Sequence, residues 1–150
     1  MPDFFSFIIV HVVFSTEAQH PCIERNLAAK VDSALHKSAR KLGCKVYRTA
    51  VMPEHVHLAM DLSPNASMDN LVNSLKEAVA VSLAAQEARF AGFAWQHEYA
   101  GFTVSPSGLK ALIAYIDDQE ELHRKQSFKE EFRMLLEKHG IDYDEATVWD

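Results

Sequence analysis

Two short runs rich in β-branched and aromatic residues, "CKVYRTAVM" (44–52) and "HVHLAMDL" (55–62), are separated only by Pro53 and Glu54. A break that short between strand-like runs predicts an antiparallel hairpin. It commits the chain to an antiparallel sheet, because a parallel neighbour would need a long crossover. The second run also alternates. Val56 and Leu58 fall on one face, and His55 and His57 on the other. One face is suited to core packing, while the other carries two imidazoles whose Cα atoms lie ~6.5 to 7 Å apart. At that spacing their ring nitrogens can converge on one ion at about 2.1 Å each. A pair of structural histidines with hydrogen-bonded rings is the plain alternative.

The rest of the chain builds around this hairpin. Residues 4–16 are rich in Phe, Ile and Val and predict a central strand. In 23–43, Ile23, Leu27, Val31, Leu35 and Leu42 recur at helical spacing, with Gly43 as the stop. Ser67 is placed to cap a long Ala-rich helix over 68–90. "GFTVS" (101–105) predicts a short strand, and Ser105 or Ser107 a cap for a helix over 109–125. Ser127 and Glu130 form an S-x-x-E capping box for a last helix ended by Gly140. The order is strand, helix, strand, strand, helix, strand, helix, helix. It predicts an α+β fold of the ferredoxin-like (RRM-like) class: an antiparallel sheet with helices packed on one face, plus a C-terminal tyrosine-bearing helix. Residues 1–150 read as one domain.

Composition narrows the function classes. A net charge of −6 argues against a general nucleic-acid coat. The cations are nevertheless concentrated, with seven of the 15 Lys and Arg in residues 25–48 and Asp32 the only acid there. This is a solvated helix face or a DNA-contacting surface. Cys22 and Cys44 form no C-x-x-C motif and read as reduced thiols of a cytoplasmic protein. The apolar N-terminus has no basic n-region and is too short to span a bilayer, so no membrane anchor is expected. Phe93 and Trp95 in "FAWQHEY" read as buried rather than as base-stacking platforms.

A second constellation lies on the helix from Leu109. Tyr115 and Gln119 are four apart and share a face, while Leu112 and Ile116 occupy a neighbouring face that can dock to the sheet. By spacing alone, Tyr115 is core-edge filler and Gln119 is solvated.

The ordered set of motifs resembles the single-tyrosine HUH transposases of the small insertion-sequence type, including the REP-associated tyrosine transposases. "VHVVFST" (10–16) is similar to their first strand, "MPEHVHLAM" (52–60) to their metal motif, and the stretch from "FTVSPSG" through "YIDDQ" to "GIDYDE" to their tyrosine helix and C-terminal region. The resemblance implies Tyr115 as nucleophile, with His55, His57 and Gln119 as ligands of Mg²⁺ or Mn²⁺. It implies cleavage and rejoining of single-stranded DNA beside hairpins through a 5′-phosphotyrosine. It also implies a homodimer, with the tyrosine helix of one subunit able to complete the metal site of the other. Arg40, Lys41, Lys45 and Arg48 are the candidate DNA contacts.

Two His and one amide would make a neutral ligand set that leaves an ion its full charge for phosphate oxygens. Several residues depart from the pattern. The 71–90 helix is nearly stripped of cations, the tail reads "YDEATVWD", and Asp118 and Glu120 bring acid close to Gln119. These departures keep open an inactive or domesticated hairpin-binding protein with the same fold. Tyr47, Tyr99 and Tyr143 are lesser nucleophile candidates.

Overall fold

The computed structural model describes residues 5–150. Among them four strands form one antiparallel sheet: β1 (Ile9–Ser15), β2 (Lys45–Val51), β3 (His55–Asp61) and β4 (Ala100–Val104), in the order β2-β3-β1-β4. The two central strands are buried almost throughout, which explains why β1 reads as a continuous apolar run. The hairpin forms as the sequence predicts, closed by Met52 N–H donating to His55 O at 2.8 Å.

Strand alternation divides the core in two. Val10, Val12, Phe14, Val56, Leu58 and Met60 pack beneath α1 (Ala28–Lys41) and α2 (Met68–Gln86). Buried Val31, Leu35 and Ala39 make the inward stripe of α1. That helix stops at Gly43, whose φ of +75° admits the turn in which Gly43 and Cys44 N–H groups bond back to Arg40 and Ala39. Ser67 caps α2 by accepting from Asn70 N–H at 3.0 Å.

The opposite face carries His55, His57 and Ala59 from β3, His11 and Val13 from β1, and Phe102 from β4. It is covered by α3 (Leu109–Asp117), α4 (Gln119–Leu122) and α5 (Phe128–Lys138). Leu112 and Ile116 dock against Ala59 as the helical spacing predicts. Ser127 and Glu130 form the capping box of α5, and the chain turns at Gly140 with φ +67°. Val148 and Trp149 fold back onto the cluster around Phe128, Phe132, Leu135 and Leu136.

Several elements differ from expectation: α1 begins only at Ala28, after a 3-10 turn at Arg25–Leu27, and α2 ends at Gln86, short of residue 90, with a separate 3-10 turn at Ala88–Gly92. β1 begins only at Ile9, where its register with Asp61 and Val104 ends; Phe5, Phe7 and Ile8 lie exposed, and residue 4 is outside the described residues. The predicted 109–125 helix is broken at Asp118 (φ −93°, ψ 10°). Asp117–Glu120, Asp117–Glu121 and Asp118–Glu121 are like-charge pairs at helical spacing, which disfavour continuity there.

The cation-poor α2 has a structural use for its one lysine. Lys76 Nζ donates to the carbonyls of Gln96, His97 and Glu98 at 2.7, 3.0 and 3.4 Å. Trp95 Nε1 returns a bond to Lys76 O at 2.9 Å, with its ring against Phe14 and Phe93. Phe93 and Trp95, expected to be buried, are partly buried against the main core. Lys76→Met should cost about 1.5–3 kcal/mol, the usual worth of hydrogen bonds to a charged group. Urea unfolding measures it, and an unshifted midpoint would show that those carbonyls do without the ammonium.

Candidate functional site

β3 sets His55 and His57 side by side beneath the α3–α5 layer, both 0% exposed. The partner of each ring's far nitrogen fixes how the near one faces. His55 Nδ1 lies 2.5 Å from Glu54 Oε1. Burial opposes ionisation of Glu54, but its hydrogen bond with His55 holds its pKa below the ordinary value. An ionised carboxylate only accepts, so His55 Nδ1 carries a proton and its Nε2 faces the interior. His57 Nδ1 lies 2.8 Å from His11 Nε2, a residue diagonal to it across the β1–β3 ladder.

The covering helices bring four more groups to those rings. Gln119 Oε1 lies 3.1 Å from His55 Nε2. Glu131, on α5, lies with Oε1 3.3 Å from His57 Nε2 and 3.6 Å from His55 Nε2. His123 Nε2 lies 2.8 Å from Glu131 Oε1 and 3.1 Å from Gln119 Oε1. The second Glu131 oxygen accepts from Tyr115 Oη and from Gln119 Nε2, the latter at 2.8 Å. Gln119 is 1% exposed and Glu131 0%. Spacing alone leaves Gln119 solvated; the sheet instead draws it in. Tyr115, Gln119 and His123 form one stripe at four-residue spacing, all turned toward β3.

The donor chemistry fits a divalent cation. His55, His57 and Glu131 present ligand atoms within 4.8 Å of one another, all buried. Nitrogen and oxygen ligands at about 2.1 Å from one ion stand roughly 3.0–3.4 Å apart. The contacts of 3.1 and 3.3 Å match that spacing. The donor set is not neutral, however. The acid in the cluster is Glu131, not the residues near Gln119 that composition singles out: Glu120 reaches out to Arg25 at 3.0 Å, and Asp118 is exposed. An anionic ligand offsets part of an ion's charge and strengthens its hold.

Burial and the shared carboxylate shift several groups here; burial opposes the charged form of His123, but its hydrogen bond with Glu131 raises its pKa. Burial would raise the Glu131 pKa, yet hydrogen bonds from His123, His57 and Tyr115 hold it well below the carboxylate range. Tyr115 is pushed well above an ordinary phenol, first by burial and then by Glu131. His57 is lowered by burial, against the pull of Glu131. His11 is lowered to about 3, by burial and then by His57. A free histidine titrates near 6.5, so between about 3 and 6.5 the unfolded chain binds a proton that folded His11 refuses. Stability should therefore fall with pH across that window, by at most about 1.4 kcal/mol per pH unit from this group. His11→Asn should flatten that part of the curve; equal slopes in urea titrations of both proteins would remove His11 as the cause.

The candidate DNA contacts are dispersed. Arg48, on the edge strand β2, reaches Asp117 Oδ1 at 3.4 Å, beside the tyrosine helix. Arg40 and Lys41 are exposed at the far end of α1, and Lys45 lies over the Tyr47 ring at 5.1 Å. Tyr47 stacks on Phe7, Tyr99 packs against the α1–α2 core, and Tyr143 bonds Glu137. Tyr115 alone of the four tyrosines joins the histidine cluster.

Four residues escape the sequence reading: His11, Glu54, His123 and Glu131. Glu131 had a visible signal. Phe128, Glu131, Phe132 and Leu135 share one helical stripe, and a carboxylate on an apolar stripe requires a partner. Two cavities flank the cluster. One of about 410 Å³ is bounded by Glu54, His123, Arg25 and Arg124; the other, of about 340 Å³, by Tyr115, His11, Phe102, Lys138 and His139.

Comparison with known proteins gives concordant results. The profile of the family described as "Transposase IS200 like" matches residues 5–119. The ISDra2 transposase TnpA of Deinococcus radiodurans is 26% identical over 116 residues, 74% of this chain and 83% of the relative. A crystal structure of a Deinococcus radiodurans R1 protein described as a transposase superposes with a TM-score of 0.62 at 22% identity, covering 79% of this chain and 95% of the other. The REP-associated tyrosine transposase bound to a REP hairpin superposes with a TM-score of 0.61 at 13% identity, covering 82% and 72%. The two superpositions speak for the fold. Among the described residues no helix is long and apolar enough to cross a membrane.

Proposed function

We propose, from the premise that this chain belongs to the IS200-like transposase family, that it cuts and rejoins single-stranded DNA beside hairpins with Tyr115 as nucleophile. The observation that carries the reading is the sharing of one carboxylate. Glu131 bonds the Tyr115 hydroxyl through Oε2 and meets His57 and His123 through Oε1. The phenol and the imidazoles of the H-x-H motif thereby come together within a single chain.

His55, His57, Gln119 and Glu131 are the residues that would hold Mg²⁺ or Mn²⁺. When bound, the ion would offset negative charge on the non-bridging oxygens of the scissile phosphate. The remaining work falls to the chain. Tyr115 Oη attacks phosphorus, the Oη–P bond forms, and the P–O3′ bond breaks to release a 3′-hydroxyl. The phenol is held protonated at neutral pH, so its proton must leave during attack. Glu131 Oε2 accepts that hydrogen bond and orients the phenol; held well below the carboxylate range it is too weak a base to keep the proton, which passes on to solvent. The phosphotyrosine keeps the phosphodiester energy, and attack by a second 3′-hydroxyl reverses the step. One structural relative is bound to a REP hairpin, which supports a hairpin substrate. Arg40, Lys41, Lys45 and Arg48 are our candidate phosphate contacts. A homodimer paired along an open edge, β2 or β4, belongs to the same reading.

A second reading is supported by the burial of the cluster. With His55, His57 and Glu131 0% exposed, a phosphate has to part the α4–α5 cover to arrive. A protein that binds hairpins and no longer cleaves them would have no need to open. One experiment separates the two. A labelled hairpin oligonucleotide with a single-stranded flank is incubated with protein and Mn²⁺, then run under denaturing conditions. A protein-linked band supports cleavage. Retarded mobility in a native gel without that band supports binding alone.

A further inference from the structure

We infer that the cavity beside Tyr115 receives one unstacked DNA base, that of the nucleotide whose 5′-phosphate joins the phenol. This rests on the cleavage reading above and adds to it the seat that positions the strand. The cavity, of about 340 Å³, lies between α3 and α5 over β4, with Tyr115 and His11 among the residues that line it. Ligand pockets begin at about 300 Å³ and are mostly apolar, with a few polar groups. Here Phe102, Val104, Leu112 and Leu135 supply the apolar walls, while Thr103 and Lys138 are exposed. The charge is also suited to DNA. The sequence carries 21 Asp and Glu against 15 Lys and Arg, yet the cavity is lined by Lys138 and by no acid. The other cavity beside the cluster sets Glu54 and Glu120 against Arg25 and Arg124, and Arg25 is already paired with Glu120 at 3.0 Å. A strand lying against Tyr115 therefore meets its favourable charge on the Lys138 side.

The walls suit a flat ring. Phe102 and His139 stack at 4.1 Å between centroids with 15° between their planes. His139 Nδ1–H donates to Leu135 O at 2.9 Å, which holds the imidazole in place. Aromatic surfaces of this kind hold single-stranded bases through their π-faces. The space exists because α3 is small where it borders the cavity. Gly108 and Ala111 line it from the turns before Tyr115, and Ala111 shares a helix face with that residue. Gly108 has a packing reason, since an added Cβ would stand 3.3 Å from Ser105 Oγ and Val104 Cγ1. Ala111 is exposed, so the fold sets no such limit there. A longer side chain at 111 would fill the cavity without disturbing the core. The phosphotyrosine tethers the downstream nucleotide, which leaves its base one sugar away from the phenol. The strand that ends in the new 3′-hydroxyl is not tethered.

Photocrosslinking tests this. A hairpin oligonucleotide carries 5-iododeoxyuridine at one position of its single-stranded flank at a time. It is bound to the full chain bearing Tyr115→Phe, in Mn²⁺, and irradiated, and the crosslinked residue is identified by mass spectrometry. The cut made by wild type is mapped on the unmodified oligonucleotide. The nucleotide just downstream of that cut should crosslink to Phe102 or His139. Adding Ala111→Leu should lower this yield at least about fivefold, the lower end of what stacking one base on an aromatic ring is worth. Ala111→Leu alone should slow covalent adduct formation by a similar factor. Ala114→Leu, exposed on the same helix but outside the cavity, should change neither. Both leucine variants should retard a hairpin without a flank as wild type does. Should Ala111→Leu fail to fold, the crosslink map decides alone. A crosslink to these rings from the upstream nucleotide, or from none while the hairpin is still retarded, would overturn the inference and leave the cleavage reading standing. If wild type forms no adduct, the cleavage reading itself falls, and this inference with it.

Discussion

Tyr115→Phe should form no covalent band with a hairpin oligonucleotide in Mn²⁺, while still retarding it in a native gel. The loss should be on the order of 10⁴-fold or more, the scale seen when a nucleophile is deleted from a catalytic unit. The substitution removes one oxygen and little else. Phe keeps the ring that stands edge-on to His11 and His57 at 6.0 and 5.9 Å between centroids. Glu131 Oε2 keeps its bond from Gln119. The stability change should therefore stay near 1 kcal/mol, the net worth of an ordinary hydrogen bond. Lost chemistry with a retained fold would assign the hydroxyl to the reaction. A band of wild-type intensity would transfer the nucleophile to another residue and undo the mechanism proposed above.

The largest structural effect should come from Glu131→Ala. Tyr115, Gln119, His57 and His123 all direct a polar atom at this carboxylate. Removing it leaves buried donors without an acceptor and the His123 ring without its anion. Breaking a buried charge network by deleting one partner costs roughly 3–5 kcal/mol. Urea unfolding at neutral pH measures the change. The deficit should shrink in acid, because a carboxylate whose folded pKa is depressed contributes its stability above the unfolded value and loses it as the pH falls. Glu131→Gln should recover part of the loss, since its amide oxygen still accepts one hydrogen. A cost under about 1 kcal/mol, typical of surface positions, would mean that the carboxylate is not the hub.

The two substitutions probe different parts of one arrangement. Tyr115 is argued from its hydroxyl, which the fold does not need. Glu131 is argued from its charge, which the fold does need. A protein that fails the first test and passes the second retains the hub without the chemistry, which is the expectation for a hairpin-binding relative that no longer cleaves.

The sequence by itself determined what local periodicity governs. Two residues between strand-like runs specified the β2–β3 hairpin, and alternation of two specified that His55 and His57 share a face apart from Val56 and Leu58. Spacing of four specified that Tyr115 and Gln119 share a side of their helix, and the Ser67 and Ser127 caps and the Gly43 stop were legible as local chemistry. Only the tertiary structure decided where these faces meet. His57 and Glu131 are 74 residues apart, and His11 and His57 are 46 apart. No periodicity links them, because their contact follows from the order β2-β3-β1-β4 and from the folding of α5 across the sheet. The cluster's charge was misjudged from sequence for the same reason. Asp118 and Glu120 lie near Gln119 along the chain, but a helix turns neighbours to different sides, and the carboxylate that enters is the one that packing carries in from α5.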